Sequence, residues 1–358
     1  MKKMNRRSVL QAGLMGSVAA ALGPVGVAAA STEAKKTLRV ATWGGSWRDA
    51  VEKSVSSKLN AHGIAVEYEL GGPSDHLAKL IAARRAGQFP FSVLEIASDV
   101  PILLSQSGLM EKIDYTRLSN AKPFPEWMRG ATGVAYTISV EGIVYNKEQF
   151  QKAGIPAPKT YMDLADNRLR GKVAFPNISH NQHWNAVVAL AYENSGSESK
   201  LDASLPLLAK INPLYYYTSS IELGNRFGAG EIWAAPWQAG WTVRLKRQGV
   251  PVEIQYTSTV PGKRGAVTPN ELGIVGNTPQ RDAAYLYVEQ FLAPDSQYGF
   301  GVATGTTPVS SQARNKMLED PVLRETVLLT DADIANAFKI DWSALDARQW
   351  RDTWNRRK

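Results

Sequence analysis

The chain has 358 residues, 44% of them hydrophobic and 21% charged, with a net charge of +8 and no cysteine. That length suits about two domains of ordinary globular composition. The missing cysteine excludes disulfides, thiolate metal sites, iron–sulfur clusters and thiol catalysis, and it leaves no N-terminal thiol to carry a lipid.

The first thirty residues read as an export signal. Lys2, Lys3, Arg6 and Arg7 form a basic start, Val9 to Leu22 is a modestly apolar run, and Ala28-Ala29-Ala30 is a small-residue cleavage site before Ser31. The stretch Asn5-Arg6-Arg7-Ser8-Val9-Leu10-Gln11 is twin-arginine-like. It departs from the usual form at Asn5, Val9 and Gln11, so the ordinary secretory route stays open. The apolar run is shorter than the ~20 residues that span a bilayer. Removing the segment takes away four bases and no acid, which halves the net charge. No basic block interleaved with aromatics remains, so nucleic acid is not an expected partner.

Lys36 to Thr42 alternates and is β-rich, a first strand. Trp43-Gly44-Gly45-Ser46-Trp47 follows as a turn, and Arg48 to Leu59 as a helix. A strand, a Gly-rich turn and a helix are how open α/β sheets present ligand loops. The turn is not G-x-G-x-x-G, and no phosphate-binding G-x-x-x-x-G-K-[ST] occurs, so nucleotides are not expected. Ile64 to Leu70 is a second strand, and a helix ending at Ala86 follows it. Phe91 to Ala97 is a third strand that ends at Ser98-Asp99. Asp99 there can cap the helix Val100 to Ser107.

Tyr136 to Tyr145 is a strand with β-branched Val140, Ile143 and Val144. Gly142 sits where a strand can bend or admit another backbone. Asn146 caps a short helix that Gly154 stops, and Thr160 caps another with Asp163 in its first turn. Leu169 to Pro176 contains a strand, Asn177 to Asn185 a polar loop, and Ala186 to Asn194 a helix. His180 and His183 lie in that loop without an accompanying carboxylate, so no metal is expected there. Leu214 to Ser220 is a strand. Its three consecutive tyrosines face alternate sides and cannot converge on one ligand, so they read as sheet packing. Ile232 to Pro236 is a further strand, Trp237-Gln238-Ala239-Gly240-Trp241 a turn, Thr242 to Gln248 a helix and Val250 to Tyr256 the strand after it. Arg281 to Leu292 is a helix.

Several short motifs together resemble bacterial extracellular solute-binding proteins of the spermidine/putrescine-binding type. They are Gly142-Ile143-Val144-Tyr145-Asn146 with Gly154, Pro156, Pro158, Asp163 and Leu164; Gly108-Leu109-Met110; Leu169-Arg170-Gly171-Lys172-Val173; Gly230-Glu231-Ile232 with Ala234-Ala235-Pro236-Trp237; Thr307-Pro308-Val309; and Asp341-Trp342 with Arg351 to Asn355. The resemblance implies an α/β, type II periplasmic-binding-protein fold, with two lobes joined by a two-strand hinge and a ligand cleft between them. Lobe 1 is expected over 36–138 and 267–310. Lobe 2 is expected over 139–266 and 311–358, with the C-terminal helices on lobe 2 or across the hinge. The hinge strand is Tyr136 to Tyr145.

The same resemblance implies a function and a site. The chain is expected to be an exported, soluble, unanchored monomer in the periplasm. It would capture a small-molecule solute and deliver it to the permease subunits of an ABC transporter, without a cofactor and without catalysis. Expected contacts are Trp43, Ser46 and Trp47 after the first strand, Ser98 and Asp99 after the third, and Asn177, His180 and Asn181 in the polar loop. Trp237, Gln238 and Trp241 are expected from the later turn, and Asn270 and Glu271 after the second crossover. Trp43 and Trp237 would form two aromatic jaws, because flat side chains lose little entropy and attract cations with their faces. The loop after Leu169 to Pro176 holds Asn177, Ser179, His180 and Asn181 where polyamine binders place acids. That puts a classic polyamine in question, and the expected solute is a small organic one, polyamine-like or otherwise nitrogen-containing, with a carboxylate or phosphonate as the alternative. A secreted two-lobed enzyme is the competing class, and no G-x-S-x-G or H-E-x-x-H supports it.

Overall fold

A computed structural model describes residues 36–97, 100–258 and 260–357. The expected export signal lies outside them, as do Ser98 and Asp99. The strands run β1 Lys36–Thr42, β2 Ile64–Leu70, β3 Val93–Ile96, β4 Val134–Asn146, β5 Ala174–Pro176, β6 Tyr215–Tyr217, β7 Ala234–Gln238, β8 Val252–Gln255, β9 Ala266–Ile274 and β10 Thr307–Pro308. Apart from a parallel β5–β6 pair, they join one sheet in the order β10-β4-β9-β3-β1-β2, with β7 and β8 both pairing to β4. β1 is parallel to β2 and β3, while β9 is antiparallel to β3 and β4. Among the described residues no helix is long and apolar enough to cross a membrane.

β4 is the spine, and its two ends serve different cores. From Val134 to Glu141 it pairs with β9, and from Glu141 to Asn146 it pairs with β7 and β8. Its residues up to Val140 pack with Leu38, Val40, Tyr287, Phe291 and Phe300. Ile143 packs instead with Phe150, Leu164, Phe175 and Trp184, and Val144 with Tyr217, Phe227 and Trp237. The change falls at Glu141-Gly142. A Cβ at Gly142 would lie 2.5 Å from the Gln255 carbonyl oxygen, so only glycine lets β8 approach. Gly142→Ala is expected to destabilise the fold by about 1–3 kcal/mol, the usual range for overpacking, as read by urea denaturation.

The C-terminal part divides between the same cores. Met317, Leu323, Val327, Leu328, Leu329, Ile334 and Ala337 pack with the core of β1. Phe338 bridges to Ala266 at the start of β9, a third passage of chain between the cores. Beyond it, Trp350 and Trp354 of the helix Ala347–Arg356 join the core of Trp184. They stand four apart on one helical face, which brings both indoles against His183. Trp350 Nε1 donates to His183 Nε2 at 2.9 Å, and His183 Nδ1 lies 3.0 Å from the Pro176 carbonyl. His183 is thus a neutral strut between β5 and the last helix.

Candidate functional site

A cavity of about 660 Å³ lies where these two sets of cores face each other. Its first wall is the turn after β1. Gly45 sits there at φ 63°, a left-handed conformation that suits glycine, and starts the helix at Ser46. Trp47 is pinned from three sides. Its indole N–H donates to Glu95 Oε2 at 2.8 Å, its ring meets Phe300 edge-on at 4.9 Å, and Trp43 packs on it edge-on at 5.0 Å. Gly72 to Asp75, opening the helix Pro73–Arg85, continue this wall, and Asp75 caps the Gly72 N–H at 3.3 Å.

The opposite wall comes from three elements of the other cores. The loop after β5 supplies Ser179, His180, Asn181 and Gln182, the start of the helix Ser220–Gly228 supplies Ser219, Ser220 and Ile221, and the helix Ala239–Arg247 supplies Trp241 and Arg244. Gln238, the last residue of β7, also lines the cavity. The floor is made by the crossing strands: Ser139 of β4 accepts from Asn270 Nδ2 of β9 at 3.0 Å. Arg244 bridges the walls, with one Nη donating to Ser46 Oγ and the guanidinium 4.2 Å over the Trp241 ring.

The cavity therefore gathers Trp43, Ser46, Trp47, His180, Asn181, Gln238, Trp241 and Asn270 from the sequence expectation. Three others lie elsewhere. Trp237 is 0% exposed and stacked between Phe227 at 5.7 Å and Trp241 at 5.1 Å, with its N–H on Ser220 Oγ. It supports the wall from behind instead of forming the expected jaw, and Trp241 lines the cavity in front of it. Asn177 folds back on its own loop, its Oδ1 accepting from the Ser179 backbone N–H at 3.1 Å. Glu271 follows Asn270 on a strand and so faces the other side of the sheet. Its carboxylate lies against Gly133, where a Cβ would be 2.4 Å from Oε2, and it lines a separate 260 Å³ crevice with Trp127 and Lys339.

The site residues not foreseen include Ser139, Gln182, Ser219, Ser220, Ile221, Asp75 and Arg244. The helix Ser220–Gly228 carried a usable signal, Ser219 with Glu222 three residues on; the Ser219 hydroxyl does accept from the Glu222 N–H at 3.3 Å. Arg244 also had one, because it stands three residues after Trp241 on a helix and shares its face.

Burial sets the protonation of the groups around the cavity. It raises Glu95, Glu141 and Glu271 from 4.5 to about 7, and hydrogen bonds to Trp47 for Glu95 and to Asn185 and Thr268 for Glu141 only partly oppose this. Burial lowers His76, and it takes His180 and His183 from 6.5 to about 3. These groups act on stability in opposite senses. For the three carboxyls the folded state holds more protons than the unfolded one between 4.5 and about 7, so stability falls as pH rises through that window. For the histidines the unfolded state holds more protons below 6.5, so stability rises with pH up to that point. The two sets oppose each other between pH 4.5 and 6.5, and only the carboxyls act from 6.5 to about 7. The expected urea midpoint is nearly flat over the first window and falls over the second, and Glu95→Gln should shallow that fall.

The Ser220 and His180 pair, 2.9 Å apart, resembles a nucleophile beside a base but lacks the base's properties. Burial holds His180 well below its ordinary basicity, and among the described residues its Nδ1 meets the Gln182 backbone N–H rather than a carboxylate. Among the described residues no cluster of three or more histidines and acids could hold a metal.

Residues 53–326 match the family described as bacterial extracellular solute-binding protein. No curated protein sequence matches significantly. Solved structures do share the fold. An ABC transporter substrate-binding protein from Bradyrhizobium japonicum USDA 110 is 18% identical at TM-score 0.75, covering 89% of this chain and 98% of that one. An ABC transporter structure from Clostridium perfringens ATCC 13124 is 24% identical at TM-score 0.68, covering 89% and 99%. The PBP MotA of A. tumefaciens B6, solved in complex with glucopine, is 18% identical at TM-score 0.73, covering 89% and 98%. With a match over that span, and with its cavity set between two α/β halves, the chain belongs to the bacterial extracellular solute-binding proteins.

Proposed function

We propose that this protein captures a small organic, nitrogen-containing solute in the 660 Å³ cavity and hands it to the permease of an ABC importer, acting as an exported periplasmic monomer. The observation that carries this reading is the division of the cavity walls between separate cores, with only crossing strands at the floor. Such a site opens and closes by rotation about β4, β9 and the passage at Phe338, and the Ser46–Arg244 contact is made on closure. The size fits a metabolite or drug-sized molecule. Trp43 and Trp241 offer aromatic surface from opposite walls, Trp241 by its edge because Trp237 stacks on it and Arg244 lies over its ring, and Ser139, Asn270, Gln238 and Gln182 offer neutral hydrogen-bonding groups.

A polyamine is the less favoured solute. Burying two ammonium groups needs carboxylates beside them. Among the described lining residues Asp75 is the only acid, and it already caps its own helix. Capture is favoured over turnover because the Ser220–His180 pair lacks a competent base. The test is a thermal-shift screen of the purified protein against amines, amino acids, organic acids and phosphonates. A compound present at 100 times its Kd stabilises by about 2.7 kcal/mol. Its recovery unchanged by mass spectrometry supports capture, and its conversion refutes it.

A further inference from the structure

Arg244 is the one cationic side chain on the cavity wall among the described residues, and it has no acidic partner there. Several other arginines of this fold are paired, Arg226 with Glu222 and Glu231, Arg247 with Asp320, Arg281 with Glu111, and Arg314 with Asp331. Arg244 is about half buried, which lowers its pKa, and it keeps only a serine hydroxyl and the face of Trp241. A guanidinium carries five N–H donors in a planar fork. One neutral acceptor leaves most of that fork, and all of its charge, unanswered inside a partly dehydrated cleft.

We propose that the solute carries a single carboxylate that seats on Arg244, with the rest of the molecule between Trp43 and Trp241. This deepens the capture reading and rests on it. A carboxylate matches the fork with two parallel hydrogen bonds, stronger than those to neutral acceptors. One cation balances one negative charge, so a monocarboxylate fits better than a doubly charged phosphonate. On closure the Ser46 hydroxyl accepts from the guanidinium on the side away from the carboxylate, so it bridges the walls without touching the acid. Asp75, the one acid among the described lining residues, is committed to the Gly72 N–H rather than to Arg244.

The experiment is isothermal titration with acid–amide pairs of one shape: indole-3-acetate and indole-3-acetamide, 4-aminobutyrate and 4-aminobutanamide, and benzoate and benzamide, with putrescine as the cationic arm. An acid of the panel is expected to bind at least about tenfold more tightly than its amide, the effect of one charged hydrogen-bond pair. Arg244→Gln is expected to remove that preference, with far-UV circular dichroism unchanged. Ser46→Ala is expected to keep it, because that substitution breaks the bridge and spares the anchor. Equal binding of acid and amide, or an acid affinity unmoved by Arg244→Gln, overturns the proposal. So does loss of the preference in Ser46→Ala, which would make the bridge itself the determinant. If amides or putrescine bind and no acid does, capture stands and the carboxylate assignment falls. If nothing in the panel binds, both fall.

Discussion

Trp237→Ala is expected to destabilise the protein by about 3–5 kcal/mol, the usual cost of emptying a buried aromatic site. The indole is fully buried, stacked between Phe227 and Trp241, and its N–H satisfies Ser220 Oγ. Nothing nearby is free to fill the space, because Ala234 and Ala235 on the same strand are also fully buried and Gly224 already touches Trp241. Binding should fall too, since Trp241 loses the surface it leans on. Urea denaturation checks this directly: the midpoint should drop with the slope unchanged. A loss below about 1 kcal/mol would mean that this indole faces solvent and restores it as a jaw.

The double substitution Trp43→Ala with Trp241→Ala is expected to have the opposite profile. Both rings line the cavity and are only partly buried. Their removal should weaken the tightest-binding panel compound by more than about tenfold. Stacking of that kind contributes about 0.5–1.5 kcal/mol per ring beyond its area, and a tenfold change is about 1.4 kcal/mol. The unliganded protein should lose less stability than Trp237→Ala does, because Trp47 and Trp237 keep their hydrogen bonds to Glu95 and Ser220 and lose one ring contact each. Titration calorimetry and denaturation of the same sample separate the two effects. An unaltered affinity would remove the aromatic walls from the account.

The contrast between these tryptophans shows where the sequence stops being informative. The first wall was legible because a β-rich run, a glycine pair and a helix start leave little freedom in where the turn points. The second was legible only in part, because β7 is buried on both faces from Ala234 to Trp237, and a strand covered on both sides shows no alternation to tell which face meets the cleft. Asn270 and Glu271 posed the same problem on β9. Either could face the cavity, and pairing with β4 decides it: Thr137 stands opposite Asn270 and Ala135 opposite Glu271. The spine strand was foreseen nearly to its ends because its β-branched run is long. The docking of Trp350 and Trp354 onto His183 was not, since it joins residues about 170 apart and leaves no local trace. The capping serine of the helix Ser220–Gly228 was visible, but three tyrosines before it favoured a longer strand.

The most direct test is a crystal structure with the tightest-binding compound of the screen. The solute is expected unchanged between Trp43 and Trp241, above Ser139 and Asn270, with its charged end on Arg244. Density for it in the 540 Å³ pocket beside Trp127 and Arg314, with the inter-core cavity left to solvent, would contradict that account.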